Sequence, residues 1–218
     1  MRNLLLYEQW LNEIGDSSAK AFKWKVITPY KKYFEDAIAE VDKMREAGNH
    51  SWISIEKNFE FEIYGEKATY VAVMLIEVTK IIRISLGGKK PNPNLPKYKM
   101  ACSFHFDVKG SKQEIDTNLN EHFSLMASLT ECAIDFIERA TPTFVISEMH
   151  INAKADDSDE EAKLDSKRGR LYLAYIKGNI RKLKGDWTAE LTNHGVTLKS
   201  GTWSSSDPET QAKFFYNK

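Results

Sequence analysis

Two histidines and several carboxylates recur at strand spacing in this chain. Phe59, Phe61 and Ile63 alternate with Glu60 and Glu62, Phe104, Phe106 and Val108 alternate with Ser103, His105 and Asp107, and Met149 and Ile151 alternate with Glu148 and His150. Successive side chains of a strand point to opposite faces, so each segment sends its apolar residues one way and its ionisable residues the other. If the strands share a sheet, Glu62, His105, Asp107, Glu148 and His150 stand together on one face. Such a set suits a metal-dependent enzyme, or an acid and a base for hydrolysis. Any half-solvated antiparallel sheet also shows a polar outer face, whatever the protein does. H-E-x-x-H, P-loop and G-x-G-x-x-G patterns are absent, so no metal ligand and no cofactor is assigned.

A covalent nucleophile is less well supported. No serine lies in G-x-S-x-G. Cys102 alternates with Phe104 and Phe106, and Cys132 sits in an apolar helical stretch. Both read as reduced core residues, because a reactive thiolate needs exposure and positive neighbours. Two cysteines at no metal-ligand spacing in 218 residues also exclude a disulfide-stapled or zinc-ribbon class.

Charge is segregated along a chain that is neutral as a whole, with 31 basic and 31 acidic residues. The run Asp156, Asp157, Asp159, Glu160 and Glu161 precedes a helix-like stretch without one acid, carrying Lys167, Arg168, Arg170, Lys177, Arg181, Lys182 and Lys184. A loop over 87–99, interrupted by Pro91, Pro93 and Pro96, adds Lys89, Lys90, Lys97 and Lys99. If both lie on one side they can neutralise phosphates, with an affinity that salt weakens. The competing reading is a solvated helix face with the acids folded back onto it, and a net charge of zero supplies no long-range pull towards DNA.

The elements that must position these groups follow from periodicity. Leu4, Tyr7, Leu11 and Ile14 predict a short N-terminal helix stopped by Gly15. A half-buried strand from Phe22 that ends at Pro29, a helix over 30–47 and strands over 52–55, 59–64, 70–78, 81–86 and 100–108 follow. A helix over 117–139, capped by Asp116 or Thr117, carries the apolar stripe Leu119, Phe123, Met126, Ala133 and Ile137. After it come a strand over 143–152, with Val145, Met149 and Ile151 on one face, and the basic helix, with Leu171, Tyr172, Tyr175 and Ile176 as its core stripe. A hairpin of 187–191 and 196–203 turns at Asn193-His194-Gly195.

Two segments resemble uncharacterised proteins of large T4-like tailed bacteriophages. They are Leu11-Asn12-Glu13-Ile14-Gly15-Asp16-Ser17-Ser18-Ala19-Lys20 with Phe22-Lys23-Trp24, and Ile151-Asn152-Ala153 paired with Lys167-Arg168-Gly169-Arg170-Leu171-Tyr172. The resemblance implies a phage context and carries no activity or catalytic residue.

The expected fold is α+β, a single antiparallel, meander-like sheet with helices packed on one face, in one domain over 1–218 with an acidic linker at 154–164. Without a strong catalytic motif the reading leans away from an enzyme. It favours a phage-type protein acting by protein–protein contact or self-assembly, as a virion component or a host-factor binder. Nucleic-acid binding through the basic helix and loop is the alternative, and a metal-dependent enzyme on the polar sheet face the second. No stretch approaches the roughly 20 apolar residues of a membrane span or the core of a signal peptide, so no membrane contact is expected and the host cytoplasm, or the virion, is the expected location.

Overall fold

The computed structural model describes residues 20–47, 54–81, 96–110, 121–152, 167–183, 186–192 and 195–201. The predicted N-terminal helix, the strand over 81–86 beyond Ile81, most of the proline-rich loop and the acidic run lie outside them. The chain is mixed α+β. Seven strands form one sheet: β1 (Lys23–Val26), β2 (Ser54–Tyr64), β3 (Thr69–Lys80), β4 (Tyr98–Val108), β5 (Phe144–Asn152), β6 (Trp187–Thr192) and β7 (Gly195–Ser200). Three α-helices are described: α1 (Tyr30–Glu46), α2 (His122–Ala140) and α3 (Lys167–Asn179), the last running on into a 3-10 turn at Ile180–Lys182.

The strand order is β1-β2-β3-β4-β5-β7-β6. The first four strands form an antiparallel meander, which takes in β1 and pairs β3 directly with β4. The sheet is not antiparallel throughout, because β4 and β5 run parallel. A parallel neighbour needs a crossover rather than a hairpin, and α2 supplies its length. The hairpin of β6 and β7 then returns so that β7, not β6, pairs with β5.

Register assigns each residue to a face. Ile55, Phe59, Phe61 and Ile63 of β2 share a face with Tyr70, Ala72, Met74, Ile76 and Val78 of β3 and Met100, Cys102 and Phe104 of β4, and all are buried. Tyr30 of α1 stacks on Phe59 at 4.6 Å, while Tyr33 and, from α2, Phe136 meet the same ring edge-on at 5.1 Å. Edge-to-face and offset pairs add about 0.5–1.5 kcal/mol each beyond the area they bury, which makes Phe59 the centre of the core. Phe34 bridges to Phe136 and Phe144. Ser128 of α2 accepts the Phe22 amide at 2.9 Å, fixing the approach to β1. Tyr172, Tyr175 and Ile176 of α3 are buried, and this helix packs on β6 and β7.

Two local expectations change. The strands predicted at 52–55 and 59–64 are one strand from Ser54, because Lys57 keeps the pleat although it falls on the core-facing row: its amine reaches Glu40 at 2.7 Å and its carbonyl accepts the Tyr33 hydroxyl. In β5 the register shifts opposite Met100/Ala101. A bulge adds one residue and turns the following side chains over. Val145 therefore shares a face with Glu148 and His150 instead of with Met149 and Ile151, and the Ser147 hydroxyl donates to the Met100 carbonyl across the irregularity.

Candidate functional site

The face opposite Phe59 and Met74 carries the predicted polar residues. By register, Glu62, Val71 and Asp107 form one row across β2, β3 and β4. Ser103, His150, Thr197 and Glu190 form another across β4, β5, β7 and β6, and Ala101, Glu148, Lys199 and Thr188 a third. His105 lies two residues beyond Ser103, diagonal to His150. All five predicted residues thus stand on one face, in two separate groups.

Glu62 belongs to a closed ion cluster. The residue is 3 % exposed. It accepts from Lys109, from Lys25 at 2.6 Å and from the Tyr64 hydroxyl at 2.8 Å. The Lys109 contact, then those of Lys25 and Tyr64, hold its carboxyl down at about 2, against the upward push of burial. Glu62 in turn raises the Lys25 ammonium above its ordinary value. A carboxylate held in this way, with both oxygens engaged by three donors, ties β1, β2 and the end of β4 together.

His150 and Glu148 form the second group. The His150 Nε2 lies 3.8 Å from the Glu148 Oε1, and its Nδ1 lies 2.9 Å from the hydroxyl of Thr197. Thr197 in turn contacts the Thr192 hydroxyl at 3.5 Å, and Thr192 donates to the Gly195 carbonyl at 3.2 Å. The His150 contact draws the Glu148 carboxyl below its ordinary range. Partial burial opposes the shift, and Lys99 and Lys199 add to the pull. Lys199 is itself paired with Glu190. Among the described residues, no three of His, Cys, Asp and Glu gather as a metal-binding group.

The cysteines are buried, and desolvation pushes both thiols above their ordinary value. Of the basic residues, Lys97, Lys177, Arg181 and Lys182 are exposed, as is Arg170, which has a partner. Lys99 is not in a loop: β4 begins at Tyr98, just past Pro96, and Ile81 donates to the Lys97 carbonyl at 2.9 Å, extending the ladder. Lys167 and Arg168 belong to α3, their side chains outside the described residues, and Lys89, Lys90 and Lys184 lie outside them altogether. No helix among the described residues is long and apolar enough to cross a membrane.

Two polar residues of structural weight were not singled out by sequence reasoning. Thr197 gave no signal beyond its place in a strand. Glu121, just before α2, is buried. Its Oε1 accepts the amides of Glu66 at 2.7 Å and Lys67 at 2.8 Å, and its Oε2 accepts the Tyr70 hydroxyl at 2.5 Å. Partners more than 50 residues away leave no local pattern to read. No protein-family model, curated protein or solved structure matches the chain.

Proposed function

We propose that this chain is a non-enzymatic protein acting by protein–protein contact, with its helices gathered on one face of the sheet and the opposite face serving as the contact surface. The observation that carries the reading is the second apolar row of β3. Val71, Val73 and Leu75 alternate with the buried Ala72, Met74 and Ile76, yet they are only partly buried. A strand that is apolar on both sides belongs between two layers. Around this row, Glu56 and Glu77 stand directly opposite each other, both exposed and without an ion pair among the described residues. Like charges in that position repel by a few tenths to about 1 kcal/mol. A partner surface with an apolar centre and a cationic rim relieves this repulsion while covering the row.

The resemblance to phage proteins supports a place for that contact in a virion or on a host factor. Glu62, held by its lysines, supports a structural reading of its own group. The test is capture of a partner from an extract of the source cells, followed by reconstitution with the purified partner. Val73→Lys and Leu75→Lys should each abolish reconstitution while leaving the melting temperature close to that of the parent. Unchanged binding by both variants would remove this face from the function.

A further inference from the structure

We infer that β6 is a docking edge for a second copy of this chain, the two β6 strands pairing antiparallel about a two-fold axis at Ala189 and joining two seven-stranded sheets into one. The inference uses the rim of the sheet and does not rest on the contact face above.

The two outer strands are built differently. The order β1-β2-β3-β4-β5-β7-β6 leaves β1 and β6 at the edges. An edge strand offers backbone groups to any other strand, and proteins guard such edges by shortness, lysines or a covering helix. β1 has four residues, Lys23 and Lys25 among them, and α2 beside it: Ser128 takes the Phe22 amide at 2.9 Å and Glu131 the Trp24 indole at 3.0 Å. β6 runs six residues, Trp187-Thr188-Ala189-Glu190-Leu191-Thr192, with neither lysine nor proline. Its one charge, Glu190, is held by Lys199 of β7.

One hydrogen bond fixes which backbone groups face outward. The Gly201 amide donates to the Asp186 carbonyl at 2.5 Å, so these two residues are a hydrogen-bonded pair, and the register carries the alternation along the hairpin. Thr188, Glu190 and Thr192 therefore turn their amides and carbonyls towards β7, and Trp187, Ala189 and Leu191 turn theirs away. Among the described residues nothing meets the outward groups of Ala189 and Leu191. Their side chains are also only partly buried, although Val196, Leu198, Met149 and Ile151 in the same rows are no more than 5 % exposed. An added strand gains backbone partners and an apolar margin together.

A second copy fits this edge in one register. With Ala189 opposite itself, Leu191 stands opposite Trp187 of the second copy, and Thr188 opposite Glu190. Moving the axis to Glu190 sets that carboxylate against itself, and moving it to Thr188 sets Glu190 against Asp186. Like charges directly opposite destabilise a pair, and registers further along lose most of the strand. Pairing β6 with β1 would repeat head to tail into an open filament, which the guarded edge of β1 opposes. The two-fold pair closes, because the joined sheet ends on β1 at both sides. Two six-residue strands bury less than the roughly 1,000 Å² of a stable interface, so the dimer is reversible.

The test is sedimentation equilibrium of the full chain up to about 1 mM, which reports weak association. About 0.5 M salt screens the exposed Lys177, Arg181 and Lys182 of α3, a helix that packs on β6 and β7, between copies. The mass should climb from 25.0 kDa towards twice that. Ala189→Pro, at an outward amide, should hold it at one chain. Thr188→Glu, at an exposed position that keeps the fold whether or not the proline variant does, sets two like-charge pairs across the axis and should raise the dissociation constant about tenfold. For the register, Thr188→Cys chains are mixed with Glu190→Cys chains under a mild oxidant. Opposed residues of that pair lie about 4.5 Å apart at Cα, within disulfide reach, and the native thiols are buried. Faster cross-linking in the mixture than in either chain alone is expected. A mass of one chain at every concentration, or equal cross-linking in all three samples, overturns the inference. So does a monomer whose Ala189 and Leu191 amides resist hydrogen exchange, since another part of this chain then holds the edge. No reading here involves Val73 or Leu75, so a failure is distinct from a failure of the contact reading.

Discussion

Replacing Glu121 should be among the most damaging single changes at a polar residue of this protein. Its carboxylate holds the first turn of α2 against the turn between β2 and β3, taking two backbone amides on Oε1 and the Tyr70 phenol on Oε2. Hydrogen bonds to a charged group contribute about 1.5–3 kcal/mol each, and a buried group left unpaired costs about 1–3 kcal/mol. Glu66 and Lys67 are exposed, so water reaches part of the turn and reduces the penalty there. The phenol of the fully buried Tyr70 has no such relief. Glu121→Ala should therefore lose about 2–4 kcal/mol, most of it from the charge-assisted phenol contact and the buried hydroxyl left unpaired. In a chain of this size that is a fall in melting temperature on the order of 10 °C. Glu121→Gln should lose only about 1–2 kcal/mol, because its amide oxygen still accepts both backbone amides and only the charge-assisted phenol contact weakens. Tyr70→Phe should cost about 1 kcal/mol and be non-additive with Glu121→Ala. Urea unfolding of the parent, the three single variants and the Glu121→Ala/Tyr70→Phe double variant provides the measurement. A loss below about 1 kcal/mol in Glu121→Ala, or equal losses in the Ala and Gln variants, would refute the reasoning.

Three further outcomes follow from the same geometry. The carboxyl of Glu62 is depressed to about 2 in the folded chain, so its contribution to stability is fully present above the unfolded carboxyl value of about 4.3 and is lost as pH falls from there towards 2. Glu62→Gln should flatten the acid limb of a stability-against-pH curve, and an unchanged limb would show that its lysine contacts do not form. Cys102 and Cys132 are buried with raised thiols, so a thiol reagent should label the native chain only at the rate of unfolding, and fast labelling of either would contradict the core placement. Labelled DNA should not bind at physiological salt; steeply salt-dependent binding weakened by Arg181→Ala and Lys182→Ala would shift the function to nucleic acid.

Much of the sheet is legible because its strands alternate cleanly. Phe59, Phe61 and Ile63, or Cys102 and Phe104, announce both the strand and its buried face, and Tyr30 to Glu46 reads as a helix of almost its observed length. Legibility stops where a distant partner decides. Lys57 looks like a break in β2 until Glu40 and Tyr33 meet it. Nothing local separates a parallel from an antiparallel neighbour for β5, since the choice is made by where the crossover through α2 returns. The extra residue at Ser147 is invisible to a simple alternation, and it misassigns Val145. For the site, alternation correctly puts Glu62, His105, Asp107, Glu148 and His150 on one face. It could not show that Glu62 is held by Lys25 and Lys109, since Lys109 lies 47 residues away.

The proposed contact face can be tested at a single atom, because the native thiols are buried. In a Val73→Cys variant a thiol reagent should attach at the partly buried position 73, while the parent stays unlabelled. A bulky adduct there should abolish binding of the reconstituted partner, whereas the same adduct on Lys31→Cys, exposed on α1, should leave binding intact. Full binding with position 73 blocked would contradict the assignment of this sheet face to protein contact.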